Sequence, residues 1–265
     1  MKIGFIGAGN MAGAMIRGIL KGKKASPGEI MASDVNAQAL AALTKETDVK
    51  TGTNKETAAF AEVLFLAVKP QFFEGMLKDI APALSPETVV VSIAPGKTIA
   101  WIRETLGCPC RLIRTMPNTP ALVGEGMTAI CDNTTFSKED FNYAKGIFDS
   151  VGKTKVLPER LFDGVVAVSG SSPAYVYMMI EAMADAAVKE GIPRVHAYEM
   201  AAQSVLGSAL MVLSTGTHPA ALKDAVCSPG GTTIEAVEEL ERKGFRAAIM
   251  DAMKVCAEKS REMSK

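Results

Sequence analysis

Residues 2–6 read as a short buried strand, and Gly7-Ala8-Gly9-Asn10-Met11-Ala12 follows at once, opening a segment with Met11, Met15, Ile19 and Leu20 on one helical face. A strand that enters a helix through a glycine turn is the first half of a βαβ unit, which implies a parallel sheet with crossover helices. Gly7 permits the sharp turn, Gly9 lets the backbone approach a diphosphate, and Ala12 with Gly13 keeps the helix close to the sheet. Glycines are common in such turns, so the context matters. A second strand, 29–33, ends at Asp34, the distance at which an acid would hold the adenosine ribose of a dinucleotide.

Val63-Leu64-Phe65-Leu66-Ala67-Val68, Thr88-Val89-Val90-Val91-Ser92-Ile93 and Arg111-Leu112-Ile113-Arg114 read as further strands, with helices over 72–84 and 99–106 between them. Apolar strands alternating with helices predict a parallel sheet covered on both faces. Segments 127–131 and 154–157 flank a helix over 138–148 that Ser137 would cap, for a sheet of about eight strands. Beyond Arg160 the strand signal fades, and 174–189, 197–214, 234–243 and 245–264 read as helices. The expected class is α/β: an N-terminal Rossmann-type doubly wound sheet over 1–160, then an all-α dimerisation domain over 161–265. The first two of these helices are apolar around much of their circumference and need partners on all sides. A second copy in a twofold dimer is the expected cover, with burial against the chain's own first domain as the alternative.

Lysine plus arginine and aspartate plus glutamate number 29 each, so no net field draws the chain to nucleic acid or an anionic membrane. Cys108, Cys110, Cys131, Cys227 and Cys256 form no Cys-x-x-Cys pair, and His196 and His218 complete no metal-ligand spacing. Neither a disulfide framework nor a metal is expected. No charged-then-apolar leader precedes the first strand, so the cytoplasm is the expected location. The weakly charged stretch 200–222 has the length of a membrane span but carries Gln203, Ser204, Ser208, Thr215, His218 and Pro219, and reads as a buried helix.

A second glycine turn lies in Asp224-Ala225-Val226-Cys227-Ser228-Pro229-Gly230-Gly231-Thr232-Thr233-Ile234-Glu235-Ala236. The paired glycines leave bare amides for a ligand, Pro229 stiffens the entry, and Ile234, Val237 and Leu240 recur at helical spacing. Free N–H groups and the dipole at that helix start favour a carboxylate or phosphate, each effect worth roughly 0.3–2 kcal/mol. Thr232 and Thr233 add hydroxyls. The plainer alternative is a capped helix after a turn.

Taken together, these blocks resemble pyrroline-5-carboxylate reductase along the whole chain. Ile3-Gly4-Phe5-Ile6-Gly7-Ala8-Gly9-Asn10-Met11 is similar to that family's opening, Ala67-Val68-Lys69-Pro70 to its loop after the fourth strand, and Met116-Pro117-Asn118-Thr119-Pro120 to its central turn. Ser169-Gly170-Ser171-Ser172-Pro173-Ala174-Tyr175 resembles its domain junction, and 224–233 its signature. The first block is shared with many dehydrogenases; the last two are specific. The resemblance implies reduction of 1-pyrroline-5-carboxylate, a cyclic imino acid, to L-proline by hydride from NADPH or NADH, the last step of proline biosynthesis. It implies cofactor contacts from Ile6, Gly7, Ala8, Gly9, Asn10, Met11, Asn54, Ala67, Val68, Lys69, Pro70, Ile93 and Ala94, beside the Asp34 already read from spacing. It places the substrate on Ser228, Gly230, Gly231, Thr232 and Thr233, the ring carboxylate on backbone amides and the ring nitrogen at Thr233, the catalytic candidate. Glu159 aligns with a residue near the ligand, or is an exposed acid at a helix start. A homodimer is the implied minimal unit, with a larger assembly of dimers left open.

A carboxylate at Asp34 would bond a 2′-hydroxyl and repel a 2′-phosphate, which leans to NADH unless Asp34 turns away and Ser33 and Asn36 take the phosphate. The signature holds no His, Tyr or Lys as an obvious acid, so water or an already protonated iminium would supply the proton. Lys69 is a cofactor-loop residue or a solvated charge before Pro70. Two rivals remain at this stage. A reductase of the hydroxyacid dehydrogenase kind would need a lysine such as Lys189 facing the substrate, and a redox-sensing module would bind NAD(P)H without turnover.

Overall fold

The computed structural model describes residues 1–132 and 137–264. Among them, strands β1 (Ile3–Ile6), β2 (Ile30–Ser33), β3 (Lys50–Thr51), β4 (Val63–Leu66), β5 (Val89–Ser92), β6 (Arg111–Met116), β7 (Gly126–Cys131) and β8 (Gly152–Leu157) form one sheet, ordered β3-β2-β1-β4-β5-β6-β7-β8. Pairing is parallel from β3 across to β6. Ile6 stands level with Ser33 on one side and Leu66 on the other, and Leu66 with Ser92. The chain winds from β1 out to β3, then crosses back to β4. That reversal opens the crevice at the carboxyl ends of the strands where such sheets bind ligands.

The parallel pattern predicted from sequence breaks once, where β7 returns antiparallel to β6 with Thr115 opposite Ile130. Residues 117–125 join them through a 3-10 turn, Thr119–Val123, and no helix. A parallel return needs a crossover of a dozen or more residues, so a shorter connection brings the strand back antiparallel. β8 is again parallel to β7, reached through α6.

Helices α1 (Asn10–Lys21), α2 (Ala37–Thr47), α3 (Asn54–Phe60), α4 (Pro70–Ile80), α5 (Ile99–Leu106), α6 (Lys138–Asp149) and α7 (Phe162–Val165) accompany the sheet. Side chains alternate across its two faces. Phe5, Phe65, Val91 and Ile113 meet Met15, Ile16 and Ile19 of α1 and Phe148 of α6. Ile6, Leu64, Leu66, Val90 and Leu112 meet Phe73, Leu77 and Ile80 of α4, Ile102 of α5 and Phe162 of α7. Phe65 anchors the first cluster, stacked on Phe5 at 4.8 Å and edge-on to Phe148 at 5.9 Å.

Helices α8 (Ser172–Lys189), α9 (Arg194–Thr215), α10 (Pro219–Val226), α11 (Thr232–Arg242) and α12 (Phe245–Met263) complete the described chain. Met1–Ser171 and the chain from Cys256 onward form one compact unit, and Ser172–Val255 the other. The last turns of α12 thus belong to the first unit, where the buried Ser260 hydroxyl donates to Asp163 at 2.6 Å and Met263 lies beside Gly96. Within the second unit α8 and α9 are neighbours, and Ala184, Ala197 and Ala201 are buried. Met178, Leu206, Leu210, Leu213 and Met250 stay exposed in the single chain.

Phe65→Ala removes a wholly buried ring that touches both neighbouring aromatics. Urea denaturation is expected to show a loss of about 3–5 kcal/mol.

Candidate active site

The backbone at Gly7 has φ +100°, its amide donates to the Ser33 carbonyl at 2.7 Å, and a Cβ there would sit 2.6 Å from the Ala67 carbonyl oxygen. No L-side chain suits either condition. The turn therefore draws the ends of β1, β2 and β4 together. Gly9 precedes α1 in extended conformation, no side chain caps the helix, and a Cβ on Gly9 would meet nothing within 4 Å. The uncapped amides of the first turn, at Asn10 and Met11, thus have open space before them, the arrangement that receives a diphosphate.

Ile6 is the last residue of β1, and Ala8 in the turn is buried. Asp34, half-buried after β2, accepts the Ala8 amide on Oδ2 at 2.6 Å and the Asn36 amide on Oδ1 at 2.7 Å. Each carboxylate oxygen keeps a second acceptor site. Of the two residues that would accommodate a phosphate instead, the Ser33 hydroxyl is committed, whereas Asn36 is committed through its side-chain oxygen alone. Ser33 is buried and its hydroxyl donates to Asn54 Oδ1 at 2.8 Å, while the Asn36 side chain caps α2 by accepting the Gln38 and Ala39 amides.

Asn54 opens α3; Lys69, exposed, and Pro70 open α4 with no side-chain cap; Ile93 and Ala94 are buried just after β5. Ala67 and Val68, after β4, are half-buried. The structure therefore brings the residues expected to contact the cofactor to the carboxyl edge of five adjacent strands, β3 to β5. A cleft of about 500 Å³ opens there, lined by Gly7, Asp34, Asn54 and Val68, and also by Val35, Gln71, Phe72, Gly75, Met76 and Asp79. Lys55 at α3 is paired with Asp79 at 3.2 Å. The α4 residues were missed because the sequence marks that helix by its core stripe. Exposure of Phe72 at 62% is the feature that distinguishes its cleft face, and only coordinates show it.

Glu159 has a different setting. It starts a 3-10 turn, Glu159–Leu161, after β8, and Oε1 accepts Arg114 Nη1 at 2.9 Å and the Ile99 amide at 2.8 Å. The Arg114 side chain is 4% exposed, with its guanidinium 4.8 Å from the Phe162 ring centre. Glu159 thus ties β6 to the start of α5 inside the first unit and neutralises a buried cation. Beside this pair, burial pushes the Cys131 thiol up to about 11, with the Glu159 carboxylate adding to the rise, so the thiol stays neutral.

In the second unit, the Gly231 amide donates to the Ser228 carbonyl at 3.0 Å, and Gly230 has φ +66°. Gly231 precedes α11 without a side-chain cap, and a Cβ on it would collide with Ser228 Oγ. Thr232 and Thr233 are the first two residues of α11; Ser228, Gly230 and Thr232 are exposed and Thr233 is half-buried. This is a second uncapped helix start behind a glycine turn, with a hydroxyl on its first turn. Lys189 is exposed in the last turn of α8, where a cation offsets the helix dipole.

Over 265 residues the chain is 49% identical to a pyrroline-5-carboxylate reductase of Escherichia coli, covering 100% of this chain and 98% of that protein. The chain belongs to the pyrroline-5-carboxylate reductase family. Residues 159–263 match the model described as pyrroline-5-carboxylate reductase dimerisation, and 2–96 the one described as NADP oxidoreductase, coenzyme F420-dependent. Its structure is similar to that of a pyrroline-5-carboxylate reductase from Coxiella burnetii, with a TM-score of 0.90, 33% identity and coverage of 100% of this chain and 98% of that one. A Plasmodium falciparum pyrroline carboxylate reductase, solved with NADP bound, gives 0.91 at the same identity and coverage. The α/β class with its helical C-terminal part is thus the one the sequence implied.

Glu159→Ala leaves the buried Arg114 unpaired. Chemical denaturation is expected to show a loss of about 2 kcal/mol.

Proposed function

We propose that this chain reduces 1-pyrroline-5-carboxylate to L-proline, taking hydride from a reduced nicotinamide dinucleotide and favouring NADH over NADPH. The observation that carries this reading is the pair of uncapped helix starts behind glycine turns, one suited to a diphosphate and one to a small carboxylate, in a chain of this family. A sensor has no use for the second, and a hydroxyacid reductase would need a lysine directed at its substrate.

The cofactor supplies the hydride when bound. Gly7, Gly9, Asn10 and Met11 would hold its diphosphate, Asp34 its adenosine ribose, and the segments at Asn54, 67–70 and 93–94 the rest. Amides at Ser228, Gly230 and Thr232 would fix the substrate carboxylate, with the Gly231 amide spent on the Ser228 carbonyl to hold the turn, and this orients a flat ring without any covalent bond to the protein. The Thr233 hydroxyl would support the ring nitrogen as it changes from iminium to amine. Glu159 serves the substrate only indirectly in this scheme, by keeping Arg114 and α5 in place.

The NADH preference follows from Asp34. Its carboxylate is held by two backbone amides at the expected ribose position, where its charge would repel a phosphate, and the neighbouring Ser33 hydroxyl is given to Asn54. The match to an NADP oxidoreductase model describes the domain; Asp34 belongs to this chain. The expected division into a cofactor domain over 1–160 and a substrate and dimerisation domain over 161–265 shifts when read as compact units, since 161–171 and the last turns of α12 belong with the first. Exposed Met178, Leu206, Leu210 and Leu213 support a homodimer as the working unit, and dimers that assemble further, in the cytoplasm, complete the proposal.

Purified protein mixed with pyrroline-5-carboxylate and NADH is expected to consume the reduced nicotinamide, followed by absorbance; no consumption with either cofactor refutes the reaction. Thr233→Val is expected to lower kcat/KM by about 1–3 kcal/mol, and an unchanged value removes Thr233 from the chemistry. Asp34→Ser is expected to shift the kcat/KM ratio about tenfold toward NADPH, and an unmoved ratio removes Asp34 from cofactor choice.

A further inference from the structure

We propose that Asn118 is a positioning residue for hydride transfer, holding the chain where it leaves the first unit. Pro173 makes a tie necessary there. In an α-helix the Ser169 carbonyl would accept the amide of residue 173, and a proline has none. The chain answers with a π-helical turn over Val166–Gly170, in which the Ser171 amide reaches back to the Val166 carbonyl at 2.8 Å. Asn118 Nδ2 then donates to the Ser169 carbonyl at 3.0 Å, in place of the missing amide.

The other end of the same side chain is also committed, since Asn118 Oδ1 accepts the Met127 amide at 2.8 Å. Asn118 stands before the 3-10 turn Thr119–Val123, a position where asparagine ordinarily caps, yet its side chain makes no capping bond. It is 9% exposed and bonds to two half-buried partners. Alongside it, Gly170 comes so close to Met116 that a Cβ there would meet Met116 Cε at 2.6 Å.

The turn that carries Asn118 reaches the cofactor side as well. Ala121 packs with Ala14 of α1 and with Val151, and α1 is the helix whose start would hold the diphosphate. A set of contacts thus runs from α1 through Ala121, whose amide donates to the Asn118 carbonyl at 3.2 Å, and through Asn118 to the half-buried Ser169, three residues before α8 begins. Hydride transfer tolerates little error in donor–acceptor placement. A tie between the cofactor helix and the point of departure toward the substrate loop reduces that error. This inference rests on the proposed imine reduction.

Asn118→Asp keeps the size and the acceptor for Met127 and removes the donor to Ser169. The expected result is a kcat about tenfold lower, an unchanged cofactor dissociation constant, and a larger primary isotope effect on kcat when the cofactor is deuterated at nicotinamide C4. Adding Pro173→Ala restores the amide that an α-helical turn would offer the Ser169 carbonyl, and the double variant is expected to recover most of the lost rate. That comparison also serves if the single variant is poorly soluble. A single variant that melts earlier but keeps the wild-type kcat and isotope effect overturns the proposal, and so does a double variant no better than the single. Wild-type protein without turnover would refute the reaction itself, whereas normal wild-type turnover beside an unaffected variant refutes Asn118 alone.

Discussion

One backbone position holds the first unit to its purpose. At Gly7 the chain must turn with positive φ, give its amide to the end of β2, and lie against the carbonyl that follows β4. These conditions are met at once only by a residue with no Cβ. Because the turn sits where the strand order reverses, the same three-way junction that closes the sheet leaves the crevice open beside it. Asp34 completes the junction: its carboxylate accepts the amide next to Gly7 and still presents acceptors to the crevice.

The rest of the first unit works as a support. Two apolar layers clamp the sheet on either face, and polar groups inside are tied in pairs that leave few free choices. Arg114 and Glu159 lock α5 to β6, Ser33 and Asn54 join the ends of β2 and α3, and Asn118 links β7 to the departing chain. Buried ionic pairs contribute little net stability against an apolar substitute but cost several kcal/mol to break on one side, which makes them effective as registers. The second unit is built otherwise. Its helices bury small residues between themselves and leave long apolar ones exposed in the single chain, a pattern suited to an interface.

Much of this was legible in the residues. The strand, glycine turn and acid at the end of β2 located the crevice, because each reflects a local backbone requirement that a one-dimensional pattern records. Helix bounds were read to within a few residues wherever apolar spacing was regular, as at α5 and α12. The reversal at β7 was not, since parallel and antiparallel strands share composition and only the length of the 117–125 connection distinguishes them. The α4 face toward the cleft was missed for a related reason: Gln71, Phe72 and Gly75 show no pattern apart from a core stripe that points the other way. Glu159 was read with two alternatives, and its bonds to Arg114 and Ile99 join positions 45 and 60 residues apart in sequence.

The chain by itself determined that a doubly wound sheet would form, where its glycine turn would lie, and that a second helix would start behind Gly230-Gly231. Periodicity, φ preference and the missing Cβ act over a few neighbouring residues, so they are written in order along the chain. Only the tertiary structure decided which polar groups remain free. The Ser33 hydroxyl is given to Asn54, Asp34 accepts the Ala8 and Asn36 amides, and Asn118 donates to the Ser169 carbonyl. Those outcomes depend on which distant strands come level with one another, and hydrogen-bond partners are allotted by that register rather than by sequence order.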